Sequence, residues 1–190
     1  MKNLNRREFM KYGVIAGASL LASNSLASTI LKNDYDGFST SVNIILNNKP
    51  TLSINIGDAK LEYPIVAGQK PNHPTPKGIF SVKKIIHKPH WYPPRNSDWV
   101  KNNKKLMAYI ESTDNIDENG NVFIPHGHPI HPLGDWKIGF YENYYIHGAG
   151  DSAINRGKRY ASHGCIRMRN KNIERVAKFC KKYNPLIYIS

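Results

Sequence analysis

Three runs near the start of the chain alternate apolar and polar residues with a period of two: Val42-Ile44-Leu46, Leu52-Ile54-Ile56 and Leu61-Tyr63-Ile65. Asn47-Asn48-Lys49-Pro50 and Gly57-Asp58 separate them. Successive side chains of an extended backbone point to opposite faces, so the pattern predicts three consecutive antiparallel strands with one buried face. A Pro-rich connection from Gly68 to Lys77 leads to a strand over 78–82, and the aromatic, proline-rich stretch 87–95 reads as loop. Ser97 is placed to cap a short helix running through Met107. Residues 112–120 read as a polar turn ending in Asn119-Gly120, with short strands at 121–124, 136–140 and 144–147. Segment 148–161 carries Gly148, Gly150 and Gly157 without periodicity and reads as a loop. Ile173, Val176, Ala177 and Cys180 then recur at helical spacing, predicting a helix from Asn170 or Asn172 to about Lys182. Leu186-Ile187-Tyr188-Ile189 is a last strand. The expected fold is mostly β, a sandwich or partly closed barrel with one or two short helices, in one domain without repeats.

The N-terminal residues change where this fold is expected to work. Arg6-Arg7, Phe9 and Lys11 precede the apolar run Tyr12 to Ala22, a pattern similar to a twin-arginine export signal. The run is short and rich in Gly, Ala and Ser for a membrane span, which needs roughly 20 strongly apolar residues. Ser25-Leu26-Ala27 offers small residues for cleavage after Ala27. The division expected is a signal over 1–27, a polar leader over 28–40 and the folded domain over 41–190. An ordinary secretory signal leads to the same side of the membrane, and an uncleaved anchor is the competing reading. The periplasm is the expected location, with no stable membrane span after cleavage.

The chain has 27 basic and 14 acidic residues, a net charge of +13 that falls to +10 without segment 1–27. In an exported protein that balance points to acidic wall polymer or an anionic surface, or simply to a solvated exterior, and not to nucleic acid. Lys101-Asn102-Asn103-Lys104-Lys105 is most simply a solvated face. A monomer is expected.

Two cysteines do not make a disulfide framework. Cys180 lies on the apolar face of the predicted helix and reads as core. Cys165 lies in Ser162-His163-Gly164-Cys165-Ile166-Arg167, with His147-Gly148 18 positions before the cysteine. A thiol near its ordinary pKa of about 8.5 is only a few per cent thiolate at neutral pH, so a nucleophilic cysteine needs an imidazole or cation nearby. Two histidines qualify. His163 precedes Cys165 by two and would share its face on a strand-like backbone. His147 closes a predicted strand, and the loop after it can return the chain to its side. The Gly148 carbonyl is placed to accept from the second ring nitrogen of His147. Gly148 and Gly164 leave backbone N–H groups open to a developing oxyanion. These parts suit acyl transfer.

His147, fourteen intervening residues and the Ser162–Arg167 block resemble the signature of the L,D-transpeptidase (YkuD domain) family. Thr75-Pro76-Lys77-Gly78-Ile79-Phe80 is similar to that family's Thr-Pro-x-Gly-x-Phe segment, and Pro132-Leu133-Gly134 to its Asn-Pro-Leu-Gly turn. Tyr145-Ile146-His147-Gly148 is similar to its strand ending in His-Gly. The resemblance spans roughly 41–190. It implies a β-rich catalytic domain acting on peptidoglycan stem peptides, in which Cys165 forms an acyl-enzyme at meso-diaminopimelate, releases D-alanine and passes the acyl group to an amine, a 3→3 cross-link. It implies His147 as base with the Gly148 carbonyl as orienter. Ser162, His163 and Gly164 would belong to the oxyanion and substrate pocket, and Arg167 would support substrate and loop. No metal or organic cofactor is implied. His131 stands where the family turn usually has Asn. Other members transfer to water as carboxypeptidases or endopeptidases, to D-amino acids, or to or from a lipoprotein lysine, and the motif does not distinguish the acceptor.

Three rival readings compete. A papain-like hydrolase places its cysteine before its histidine, the reverse of the order here. His126, His128 and His131, with His87 and His90 upstream, suggest a metal site, but Pro125, Pro129 and Pro132 restrict the backbone and no carboxylate is expected close by to complete the set. A wall-binding protein with a dead site would need the basic surface and not Cys165. Trp91, Trp99 and Trp136 fit packing better than a glycan groove.

Overall fold

The computed structural model describes residues 39–150, 154 and 159–190. The expected signal and nearly all of the leader lie outside the described residues, as does much of the loop expected at 148–161.

The three alternating runs form β1 (Thr40–Ile45), β2 (Thr51–Ile56) and β3 (Ala59–Pro64), an antiparallel meander. β4 (Ala67–Gly68) and β5 (Gly78–Ser81) flank the Pro-rich connection. Beyond them come β6 (Lys84–His87), β7 (Trp136–Tyr141), β8 (Tyr144–Ala149), β9 (Tyr160–Ser162), β10 (Ile166–Arg169) and β11 (Leu186–Ile189). One sheet has the order β3-β2-β1-β11-β5, a second the order β10-β8-β7-β6, and β4 pairs with β9. Neither larger sheet closes on itself, so the partly closed barrel is set aside.

The sheets are mixed and not purely antiparallel. β11 runs parallel to β1, with Val42 opposite Ile187, and β10 runs parallel to β8. β6, β9 and β10 were not visible as strands in the sequence. Each is three or four residues long, shorter than periodicity needs to declare itself.

Three helices have bounds within the described residues, against the one or two expected. The helix anticipated over 97–107 is two, α1 (Asp98–Lys101) and α2 (Lys104–Ser112). Asn103 divides them, because its side chain accepts from the Leu106 N–H (3.1 Å) and so starts a new helix. The strand expected over 121–124 is reduced to isolated bridges, Ile116 with Val122 and Trp91 with Ile124. The third helix, α3 (Asn170–Tyr183), is long and ends at Asn184 in the left-handed region (φ 42°), whose N–H returns to the Cys180 carbonyl.

The main core lies between the sheets and α3. Val42, Ile44, Leu52 and Ile54 meet Ile138, Phe140, Ile146, Ile166 and Met168, with Ile173, Val176, Ala177 and Cys180 from the helix. Cys180 is buried there as expected, and burial pushes its thiol up to about 12. A second, smaller core joins Val100, Leu106, Ile110, Val122 and Ile124, with Trp91 and Trp99 packed against it. It gives the long excursion between β6 and β7 a fixed shape, which matters for the site.

Candidate active site

Ile138, Phe140, Ile146, Ile166 and Met168 point into the core. The alternation of strands therefore turns Lys137, Tyr145, His147 and Arg167 to the opposite face of the second sheet. Register aligns them further. Lys137 lies opposite His147 across β7 and β8, and Arg167 lies opposite His147 across β8 and β10. Cys165 is the residue immediately before β10, so the parallel pairing delivers the thiol to the face that carries His147. Separation in sequence is thereby converted to adjacency on one sheet.

His147 is only 3 % exposed. Its Nδ1 lies 2.6 Å from the Gly148 carbonyl. A carbonyl only accepts, so Nδ1 carries the proton and Nε2 of the neutral ring is left as an acceptor. Burial lowers the pKa of His147 to about 4. The Gly148 carbonyl opposes that shift, and the charges of Arg167, Lys137 and His131 add to it. The Gly148 carbonyl also accepts from the Gly134 N–H (2.9 Å), so the Pro132-Leu133-Gly134 turn pins the group that orients the imidazole.

The half-buried thiol of Cys165 bonds to backbone, the Asn143 carbonyl at 3.9 Å and the Tyr145 main chain. Burial raises its pKa; the Tyr145 bond, Arg167 and Lys137 pull it back down. Thiol and imidazole are both held neutral at pH 7, and the same two cations act on both.

Ser162, 1 % exposed, shapes the turn before the thiol. Its Oγ accepts from the Gly164 N–H (3.1 Å) and donates to the Cys165 carbonyl. Gly164 adopts φ +104°, a region that favours glycine. Thr75 reaches the same turn: its Oγ1 accepts from the Gly68 N–H and donates to the Gly164 carbonyl, both at 2.8 Å. The Arg167 guanidinium reaches the Ala161 carbonyl (3.5 Å), while its backbone pairs with Val66.

Three expectations change. The extended backbone assumed between His163 and Cys165 is broken at Gly164, so those side chains do not follow the i, i+2 rule. The ring of His163 instead stacks on Trp99 (centroids 4.7 Å, 18° between planes) and meets His73 at 4.7 Å. Second, Gly148 and Gly164 do not leave open space. A Cβ on Gly164 would lie 2.3 Å from the Tyr144 ring, and one on Gly148 2.2 Å from Asn170 Oδ1. The Gly164 N–H is already bonded to Ser162. Third, a carboxylate does reach the histidine-rich loop: His126 Nε2 lies 3.0 Å from Asp135. Among the described residues no group of three metal-ligating side chains forms. His131 is a clamp, its ring nitrogens 2.6 Å from the Leu133 carbonyl and 2.8 Å from that of Pro89.

Lys137 was not singled out in the sequence. A lysine at the polar position of a strand is ordinary there, and only the register sets it beside His147. Trp99 was read as packing, which it is, but what it packs on is His163.

Two sheets around one core, with a thiol and an oriented imidazole on a shared face, define a class of β-rich domain built to present a cysteine beside a histidine. The sequence model of the YkuD family, described as the L,D-transpeptidase catalytic domain, matches residues 42–187, and the chain belongs to that family. Among solved structures, L,D-transpeptidase 3 from Mycobacterium tuberculosis is similar, at 14 % identity and a TM-score of 0.51 over 80 % of this chain and 62 % of that one. An L,D-transpeptidase from Mycobacterium smegmatis is 18 % identical, with a TM-score of 0.46 over 80 % and 59 %. Enterococcus faecium L,D-transpeptidase, as a mutant, is 18 % identical, with a TM-score of 0.48 over 80 % and 49 %. The chain thus spans about half to three-fifths of the length of these structures. No curated protein sequence matches the chain.

Proposed function

We propose that the protein is an exported cysteine L,D-transpeptidase of the periplasm that acts on peptidoglycan stem peptides. Cys165 is the nucleophile and His147 the general base. The observation that carries this reading is the bond from His147 Nδ1 to the Gly148 carbonyl, which leaves Nε2 as the proton acceptor on the thiol's face.

With both groups neutral, the thiol proton passes to His147 Nε2 as Sγ attacks the carbonyl at diaminopimelate. Collapse of the tetrahedral adduct breaks the C–N bond, and His147 returns the proton to the departing D-alanine amine. The thioester is then opened by an amine of a second stem, which regenerates the thiol. Arg167 and Lys137 stabilise negative charge on sulfur and on the adduct. Ser162 and Thr75 hold the Gly164–Cys165 turn in place. His163, kept on Trp99, lines the approach to it, and no metal or organic cofactor enters this scheme. The protein works as a monomer, without nucleic acid, and holds no membrane span once the signal is cleaved. No helix among the described residues is long and apolar enough to cross a membrane.

The test is to incubate the purified protein with a disaccharide-tetrapeptide and read the products by mass spectrometry. A dimer lacking one D-alanine supports transpeptidation. Tripeptide alone makes water the acceptor. No product, with Cys165 reduced and intact, overturns the assignment of this donor.

A further inference from the structure

The sheet face that carries Cys165 has a second row of residues, one pleat along from Lys137, His147 and Arg167. There Gly139 lies opposite Tyr145, and Lys84 of β6 lies opposite Gly139. Directly paired residues share a face, so Lys84, Lys137 and Arg167 stand on the same side as Tyr145 and the thiol. Gly139 puts no side chain between Lys84 and Tyr145. Gly139 is itself buried, and a Cβ there would meet only ordinary contacts at 3.7 Å with the Tyr145 ring and the Lys84 carbonyl, so packing does not demand the glycine and the tyrosine ring lies against it. Lys137 reaches along this face with Nζ 4.3 Å from the centre of the Tyr145 ring.

This part of the face is electrically one-sided. Among the described residues no carboxylate pairs with Lys137, and the ionisable groups that act on it are Cys165 and Lys84. Arg167 likewise feels Cys165. A half-buried ammonium without a counter-anion is costly, and the cost is recovered when a ligand brings the negative charge.

We propose that Lys137, assisted by Lys84, forms a carboxylate-binding site beside the thiol that takes the free carboxylate of the acyl donor's terminal residue. In a donor whose leaving group is a terminal amino acid, that carboxylate lies three bonds from the reacting carbonyl carbon, next to the thiol. Lys137 is thus a specificity-determining residue that selects donors with a free C-terminus over amidated or extended ones. The proposal rests on the reading of Cys165 as nucleophile.

The test separates the two. Iodoacetate and iodoacetamide are near-isosteric thiol reagents, and in both the sulfur displaces iodide; only the first carries a carboxylate. Their rates at Cys165 are measured on the full chain by peptide mass spectrometry, so that Cys180 does not contribute. At low salt the ratio of iodoacetate to iodoacetamide rates is expected to fall about tenfold in Lys137→Met, the effect of one unit charge at close range in a partly screened site. Lys137→Arg retains most of it. Lys84→Met, at an exposed position, lowers it by a smaller factor, and 0.5 M salt reduces it in the native protein.

A ratio unchanged in Lys137→Met and Lys84→Met overturns the proposal, even if both rates drop together, because that pattern means Lys137 acts on the thiolate alone. With a stem tetrapeptide, C-terminal amidation should raise KM in the native protein and have little effect in Lys137→Met; equal effects also overturn the proposal. If neither reagent labels Cys165 until the protein is unfolded, the nucleophile assignment falls, and the carboxylate site with it.

Discussion

Thr75 Oγ1 donates a 2.8 Å hydrogen bond to the Gly164 carbonyl, joining residues 89 positions apart, while accepting one from the Gly68 N–H. A single hydroxyl, 5 % exposed, thus ties the Pro-rich connection to the turn that presents Cys165. Thr75→Val keeps the shape and removes both bonds. It is expected to cost about 1–3 kcal/mol, because a buried N–H and a buried carbonyl lose their partner. Thermal unfolding measures the loss, which Thr75→Ser should largely restore.

Cys165 and Cys180 should separate cleanly. Cys165→Ala is expected to abolish turnover while leaving the thermal midpoint nearly unchanged. Cys180→Ala should retain turnover and lose about 1 kcal/mol of stability to a small core cavity. Alkylating agents and carbapenem-type β-lactams are expected to modify Cys165 in the native protein, and intact-mass analysis of the two variants assigns the adduct.

The buried His147 makes a definite pH signature. Its folded pKa of about 4 lies below the ordinary 6.5, so between those values the unfolded chain takes up a proton that the native site refuses. Its contribution to stability is therefore complete above pH 6.5 and lost as the pH falls toward 4, about 3 kcal/mol in all. His147→Gln should flatten that part of the stability profile. For the same reason the acid limb of kcat/KM is expected near pH 4; a limb near 6.5 would point to a more exposed imidazole as the base.

Trp99 stands 64 positions before the ring it stacks on, His163. Trp99→Ala removes that stack and part of the smaller core, and is expected to reduce kcat/KM about tenfold, the scale of a lost ring pair of about 1 kcal/mol. Trp99→Phe should recover most of the rate. An unchanged rate in Trp99→Ala would mean that the His163 position does not matter to turnover.

Gly148→Ala tests a packing constraint. The added methyl would fall 2.2 Å from Asn170 Oδ1 and 2.9 Å from Gly134 Cα. A loss of about 1–3 kcal/mol is expected, together with slower turnover, since the displaced Gly148 carbonyl is the partner of His147 Nδ1.

The legible parts of the fold were those with a local cause. The strands β1 to β3 follow from three alternating runs punctuated by Asn-Pro and Gly-Asp turns, and α3 follows from Ile173, Val176, Ala177 and Cys180. The bond between His147 and Gly148 was also readable, because adjacent residues need no tertiary information to meet. The helix over 97–107 was misjudged because a competing cap, Asn103, sat within it. The openness of Gly148 and Gly164 was misread because what fills the space, Asn170 and Tyr144, comes from elsewhere in the chain.

The sequence alone determined the β-rich character, the apolar faces that bury, the family motif and the chemical identity of Cys165 and His147, because periodicity, turn propensity and side-chain chemistry act over a few residues. Only the tertiary structure decided that β10 lies parallel on β8 with Arg167 opposite His147, that β11 enters between β1 and β5, that Lys137 faces the thiol and that Trp99 holds His163. Those outcomes depend on which apolar faces find one another across long loops. That choice is made by the free energy of the whole core and by loop closure, and no local pattern records it.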